Sequence, residues 1–476
     1  MKKSKTILVL LSTSLLLFAA ISSQVFAAGP NEPAQRSLID EFHNPWPGVT
    51  MGGDFRFRII SADSITTLNA DRANHNYLFN RYRTRLWTKI TPESMPDMDI
   101  NLRLVWEFRT WCQPPSKPQS TNFDEIIFDR FNVTLRNLWD GNLTAVLGRQ
   151  DIILGKGWLV LEGNPLDGSR TIFFDALRFT YDWKDKNTKI DTILISNRAN
   201  AADRLKPIND RRNALTEQNE NGVILYLTNN SLENTQLEGY YIYKSDHALE
   251  HAFDNFPSAW SKSAKIHTIG GAIEHQFTDN WSARVEGAFQ CGRKETVAGS
   301  GVQNEMKAWG TKDDLIYNFR DEKKNMVHFT YEFLSGDDPA TKRNEAFDPL
   351  WGEWPQWSEL YPYVYSRETM IGESTNLHRF NVGHSFKPCE KLEVKTDYHI
   401  LLADQNTRGG QRLSDQFGFS GHGKNRGQLF TCWLNYMLTK QLSGHFLIEY
   451  LAPGNYYQGD SRSGAYFFRF DVEYTF

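Results

Sequence analysis

The chain has 476 residues, is 13% aromatic and carries a formal net charge of −4, yet its mean hydropathy is −0.53. The near-balanced charge gives no basis for nucleic-acid binding. An aromatic-rich but polar chain of this length fits two or three soluble domains with large cores poorly. No linker, low-complexity stretch or composition break divides it.

The first residues predict a secretory signal peptide over 1–27. Lys2, Lys3 and Lys5 form the positive region, an apolar stretch runs from Ile7 to Ala20, and Val25-Phe26-Ala27 precedes the cleavage point. Residues 28–51 are expected as a short periplasmic segment. Ala28, not a cysteine, stands directly after the cleavage point, so a lipid anchor is not expected. After residue 27 there is no apolar run of about 18 residues, the length a membrane-spanning helix needs.

From Gly53 onward the pattern alternates with the period of a β-strand. GDFRFRII is followed by a polar loop and NRYRTRLWTKI, then by a turn and NLRLVWEFR. IIFDRFNVTLRNL, LTAVLGRQ, FFDALRFTYDW and TKIDTILIS come next. GVILYLT, QLEGYYIYK, KIHTIGGAIEHQF, WSARVEGAFQ and a weaker KAWGTKDDLIYNF lead to NMVHFTYEFL. A loop from Ser335 to Ser374 precedes NLHRFNVGHSF and KLEVKTDYHILL. QLFTCWLNYML, SGHFLIEYL and AYFFRFDVEYTF complete the series. The count is about 18, with short turns and long loops alternating, as in an outer-membrane barrel with both termini periplasmic. A propeller would show a blade repeat, and none is present. The expected fold is an all-β, transmembrane antiparallel barrel over residues 52–476.

The closing strand places Phe468, Phe470, Val472, Tyr474 and Phe476 on one face. It matches the C-terminal signal that such proteins show to the barrel assembly machinery. The outward face meets lipid and lipopolysaccharide. Interior positions of the first six strands are then basic: Arg56, Arg58, Arg81, Arg83, Arg85, Lys89, Arg103, Arg109, Arg130, Arg136 and Arg178, against few acids. An arginine facing the bilayer midplane costs about 2–4 kcal/mol, so these side chains are assigned to a water-filled lumen. Guanidinium groups pair with carboxylates in a planar fork and keep their charge at any working pH, so a basic wall predicts an anion-conducting pore.

GRQDIILGKGWL, SRTIFFDALRFTY, SGDDPATKRNEAFDPLWGEW and NLHRFNVGHSFKP occur in this order. With them the chain resembles the alginate-export outer-membrane β-barrels over roughly Gly52 to Phe476. The resemblance implies a monomeric 18-stranded barrel with an electropositive constriction, passing an anionic uronate polymer by diffusion. It also implies that Arg149, Arg170, Asp175 and Arg178 line the pore. One departure stands out: the family's exporter has a long, plugging last periplasmic turn, whereas here the turn around Thr439–Gln441 is only a few residues.

No cofactor or metal is expected. His247 and His251 in HALEH lie in a polar loop without a third ligand nearby. Asp337-Asp338 suggests a solvated or lipopolysaccharide-associated loop, and GHGKNRG lacks phosphate-loop spacing. No GxSxG elbow is present, so no enzyme is expected. The alternatives are a general or uptake porin for small anions, and a barrel whose Ser335–Ser374 loop binds a surface through Trp351, Trp354 and Trp357. Cys112, Cys291, Cys389 and Cys432 are scattered, and their pairing is open.

Overall fold

The computed structural model describes residues 38–476 apart from 73–74, 114–120, 162–172, 201–202, 211–215, 250–261, 296–299, 407–417 and 460. The predicted signal peptide lies outside the described residues. A short helix, α1 (Leu38–His43), belongs to the segment ending at Asn44, and Pro45–Phe476 forms a second unit.

That unit is a closed sheet of 18 antiparallel strands. The first six are β1 (Val49–Asp63), β2 (Asn76–Ile90), β3 (Met98–Trp111), β4 (Thr121–Asn137), β5 (Leu143–Gln150) and β6 (Phe174–Trp183). The middle six are β7 (Thr188–Asn197), β8 (Asn219–Leu232), β9 (Thr235–His247), β10 (Ala264–Gln276), β11 (Trp281–Glu295) and β12 (Gln303–Asn318). The last six are β13 (Met326–Leu334), β14 (Leu377–Cys389), β15 (Leu392–Leu402), β16 (Asn425–Met437), β17 (Leu442–Pro453) and β18 (Ala465–Thr475). Each strand pairs with its sequence neighbours, and β1 also pairs with β18 to close the ring. The seam extends to Phe476, whose N–H donates to the Gly53 carbonyl at 3.0 Å and whose carbonyl accepts from the Gly53 N–H at 2.8 Å. Closure leaves no unpaired edge, the condition for a sheet to cross a bilayer.

Turns and loops alternate in length. Turns such as Glu233–Asn234 and Glu390–Lys391 lie at one end, with the starts of β1 and the end of β18. The loop 335–376 and the described parts of loops 151–173, 198–218 and 403–424 lie at the other. The link between β16 and β17 is short, as Thr439–Gln441 predicts. Side chains divide by strand period. Leu86, Leu194, Ile269, Phe329, Phe380, Ile448 and Phe468 are exposed on the outer face. Arg56, Arg58, Arg81, Arg83, Glu107, Glu238, Arg284, Glu332 and Arg379 are buried on the inner one. Apolar residues exposed all round the ring are what a lipid-facing band requires. All four cysteines are free, and no helix among the described residues is long and apolar enough to cross a membrane.

Leu86 is 44% exposed on this outer face. Leu86→Arg is expected to cost up to ~2–4 kcal/mol, depending on its depth in the bilayer. Heat-modifiable mobility in gels, which reports the folded barrel, should drop for Leu86→Arg and persist for Leu86→Phe. Equal folded fractions for the two variants would contradict the outward assignment.

Candidate functional site

The arginines of the first strands occupy interior, cross-strand neighbouring positions. Arg56 lies opposite Arg83 and Arg58 opposite Arg81 across β1–β2, and Arg81 lies opposite Arg109 across β2–β3. Like charges placed this way repel, so the arrangement needs carboxylates between them. They are present. Arg56 donates to Glu107 at 3.3 Å and Arg58 to Asp471 at 2.5 Å. Arg83 reaches Asp54 at 3.3 Å and Glu473 at 3.1 Å, and Arg85 reaches Asp54 at 2.7 Å. Arg103 grips Asp129 through two bonds of 2.7 and 2.9 Å and also meets Asp151, the partner of Arg130. Arg136 and Lys89 share Asp99. Arg149 forks onto Asp175 at 2.9 and 3.2 Å, and Arg178 donates to Asp191 at 2.8 Å. Arg109 stacks on Phe79 and Trp111. Arg170 lies outside the described residues.

The expectation that local acids are too few to balance this wall is therefore corrected. Sequence reasoning missed them for identifiable reasons. Asp471 and Glu473 come from β18, the far end of the chain, and meet β1 and β2 only because the ring closes. Asp129 has the outward parity of Phe131, but the β3–β4 register shifts between Arg103 and Leu104. That bulge turns Asp129 inward, where it is fully buried. Asp151 follows β5 in a loop. What remains accessible is a smaller set: the side chains of Lys89, Arg130 and Arg136 are 48%, 37% and 34% exposed.

The larger surprise is the loop 335–376. The sequence predicts a solvated outward loop; instead it folds into the barrel. It leaves β13 along β12, with the Asn344 N–H donating to the Glu305 carbonyl at 2.8 Å. Asp348 then takes Lys294 at 2.6 Å and exchanges bonds with Gln290 of β11. Trp351, 4% exposed, donates its indole N–H to Glu220 of β8 at 3.0 Å. Trp351 also meets a second inward segment, with its backbone N–H on the Leu159 carbonyl at 3.0 Å, while Trp158 stacks on Phe347. Trp357 lies against Arg379 and His399. The Trp354 indole bonds the Ile371 carbonyl within the loop. Trp351 is thus buried against the interior face, Trp357 lies half-buried against Arg379 and His399, and Trp354 is half-buried within the loop. This leaves the alternative of a surface-binding tryptophan cluster without support.

Past Trp357 the chain turns into a helix, α2 (Tyr361–Thr369), with Pro362 in its first turn. Its unpaired N-terminal groups are met by Glu449 of β17, which accepts from the Leu360 N–H at 2.6 Å, the Glu359 N–H at 3.1 Å and the Ser358 hydroxyl at 3.0 Å. A carboxylate there satisfies orphan donors and favours the helix dipole. Arg469 of β18 holds Glu359 at 3.0 Å, and Arg426 of β16 forks onto Glu368 at 2.8 and 2.9 Å. The loop is latched to both sides of the interior by charge. No His/Cys/Asp/Glu group among the described residues could hold a metal ion; His247 ends β9, and His251 lies outside the described residues.

One latch carries excess acid. Burial, reinforced by Glu220, pushes the Glu217 carboxyl up from 4.5 to about 7, with Lys244 opposing. Burial and then Glu217 and Glu220 push Glu353, on the loop, well upward. A carboxyl that keeps its proton only while the loop is seated stabilises seating at low pH. That contribution is lost as pH rises from about 4.5 toward 7. Conductance across planar bilayers is expected to rise over this window, and Glu217→Gln, which mimics the protonated acid, to flatten the rise. A wild-type profile that is flat or falls with pH would contradict the latch.

Residues 48–468 match the family described as alginate export. No curated protein matches the chain. Among solved structures, Pseudomonas aeruginosa OpdK with vanillate is 9% identical with a TM-score of 0.54, covering 90% of this chain and 98% of that one. Pseudomonas aeruginosa OpdQ is 12% identical with a TM-score of 0.54, over 90% and 97%. Pseudomonas aeruginosa OccK2 (OpdF) in complex with glucuronate is 11% identical with a TM-score of 0.50, over 89% and 97%. At these identities the likeness speaks for the fold. The family match spans nearly the whole barrel, and the chain belongs to the alginate-export family of outer-membrane β-barrel channels.

Proposed function

We propose that this channel passes anionic, uronate-type saccharides by passive diffusion, without catalysis and as a monomer. Lipid and lipopolysaccharide surround it, and its short turns face the periplasm. The observation that carries the reading is the set of cations left accessible inside an otherwise paired interior: Lys89, Arg130 and Arg136. Each already shares its carboxylate with a second cation, Asp99 between Lys89 and Arg136 and Asp151 between Arg103 and Arg130. At Asp99 two cations face one acid, so the local charge is positive and a passing carboxylate can take up the surplus. Arg130, whose cluster is balanced by Asp129 on Arg103, adds an exposed guanidinium. The family match and the glucuronate complex of the similarly folded OccK2 support the substrate class. The fully buried pairs, Arg58–Asp471 among them, hold the wall together instead, because removing one partner strands the other charge.

A second reading, a channel for small anions only, is favoured by the inward loop. A polymer would have to pass a barrier latched at Asp348, Glu359 and Glu368. The two readings differ in which solutes compete for the current.

Arg130→Gln with Arg136→Gln should leave the barrel folded and shift reversal potentials in a salt gradient toward cations. Block of the current by uronate oligomers should weaken about tenfold or more, the scale of a lost charge-assisted hydrogen bond. Unchanged selectivity and unchanged block in the folded double variant would refute the proposal. Block by monomeric glucuronate equal to that by oligomers would favour the small-anion reading.

Sidedness has its own check. In a background lacking the four native cysteines, a cysteine at Ala340, exposed at the long-loop end, should react with an impermeant reagent on intact cells. One at Lys186, exposed in a short turn, should not. The reverse pattern would invert the orientation.

A further inference from the structure

The inner face of β2 carries Arg81, Arg83, Arg85, Trp87 and Lys89 in turn, so a large apolar ring stands in the basic wall between two cations. Trp87 lies opposite Gly52 of β1 and Arg103 of β3. A Cβ on Gly52 would fall 2.1 Å from the indole Cζ2, 2.5 Å from Cε2 and 2.8 Å from Cη2. Such an approach to three adjacent ring atoms is that of a face rather than an edge. The indole is laid against the bare backbone of β1, and a side chain at position 52 would lift it. The ring is half-buried. Among the described residues no aromatic ring or guanidinium stacks on it, and its indole N–H has no partner.

A half-exposed tryptophan in a polar wall leaves apolar area in water that a hydrophobic neighbour would otherwise cover. The neighbours here are polar. Lys89 projects from the same face two residues on, roughly 7 Å along the strand, and stands opposite Asn101 of β3. Arg136 reaches the same region through Asp99, which it shares with Lys89. The Asn101 amide NH2 donates to Asn132 at 3.0 Å and to Thr134 at 3.2 Å, which leaves its carbonyl oxygen to accept a hydroxyl. The two arginines nearest the ring are committed elsewhere, Arg85 to Asp54 and Arg103 to Asp129 and Asp151.

We propose that Trp87 is the floor of a pyranose subsite on the lumenal wall. The sugar ring lies on the indole, its carboxylate turns toward Lys89 and Arg136, and one hydroxyl donates to Asn101. The C–H bonds on one face of a pyranose are apolar and slightly positive, so they stack on the electron-rich face of an aromatic ring. A small carboxylate without a ring makes the charge contacts and not this one. The subsite rests on the uronate reading above and deepens it, from selection by charge to selection of a sugar ring. Its parts stand on three adjacent strands: Gly52 on β1, Trp87 and Lys89 on β2, and Asn101 on β3. The platform is therefore held by the wall itself. The basic wall attracts any anion, and Trp87 retains those that carry a pyranose.

The test uses the folded full-length barrel in planar bilayers, with sodium glucuronate and sodium acetate as blockers of the single-channel current at equal ionic strength. The readout is the ratio of their half-blocking concentrations, which a wall selecting by charge alone would leave nearly equal. In the wild type glucuronate should block at a several-fold lower concentration than acetate. Trp87→Ala should bring the glucuronate value up to that of acetate, and Trp87→Phe, which keeps a flat ring, should preserve most of the difference. Should Trp87→Ala fail to fold, Trp87→Leu, which keeps apolar bulk without the flat face, takes its place with the same expectation. Equal block of the wild type by the two anions would overturn the subsite. So would a glucuronate preference that survives intact in folded Trp87→Ala or Trp87→Leu. The charge reading is judged separately, by the reversal potential of Arg130→Gln with Arg136→Gln, so its failure and the failure of this subsite are told apart.

Discussion

Everything in this molecule follows from the pairing of β1 with β18. In hydrocarbon an unpaired backbone N–H or C=O costs several kcal/mol, so a sheet that spans a bilayer has to close on itself. Closure separates two environments along each strand. One face is sorted for lipid by exposed Leu, Ile, Phe and Trp, and the other becomes an enclosed polar interior. The same closure brings Asp471 and Glu473 beside Arg58 and Arg83, linking the ends of the chain through charge as well as backbone.

An interior ringed by side chains is only partly aqueous. Where arginines crowd, as across β1, β2 and β3, burial and like-charge repulsion would both oppose folding without carboxylates within bonding distance. The chain supplies those carboxylates for most of the wall and leaves a minority of cations accessible. In the proposed function, wall and transport surface are made from one residue type, distinguished by exposure: Arg58 and Arg103 hold the wall, while Arg130 and Arg136 keep accessible side chains. Further round the ring the same chemistry fastens a loop. Lys294, Arg426, Arg469 and Glu449 hold it by charge and hydrogen bonds, while Trp351, Leu360, Tyr361 and Tyr365 fill the space it enters. The inward-folded loop enters from the long-loop end, opposite the short turn between β16 and β17.

The strands were legible because their signal is local. Period-2 alternation places each segment from GDFRFRII to the closing strand, and the alternation of turn and loop lengths supplies the even count. Positions such as Arg56 and Phe57 are sorted to their faces by parity alone. What parity could not reveal was non-local. Arg58 and Asp471 are paired by closure, and Asp129 changes face through a bulge. Glu359 meets Arg469 only because its loop turns inward. That last feature did leave a trace: Trp351, Trp354, Trp357, Leu360, Tyr361, Tyr363 and Tyr365 make a stretch too apolar for a solvated loop. Such a composition points to burial and does not say against which strands.

On this account the inward loop sets the opening of a barrel whose wall stands without it. The two ends of the loop meet, with the Asn376 N–H donating to the Ser335 carbonyl at 3.3 Å, so residues 337–374 can be replaced by a short glycine turn without disturbing β13 or β14. The decisive measurement is the single-channel conductance of that variant in bilayers, beside the wild type. A folded, heat-modifiable barrel with conductance raised several-fold is the predicted result. A folded barrel with wild-type conductance would contradict it.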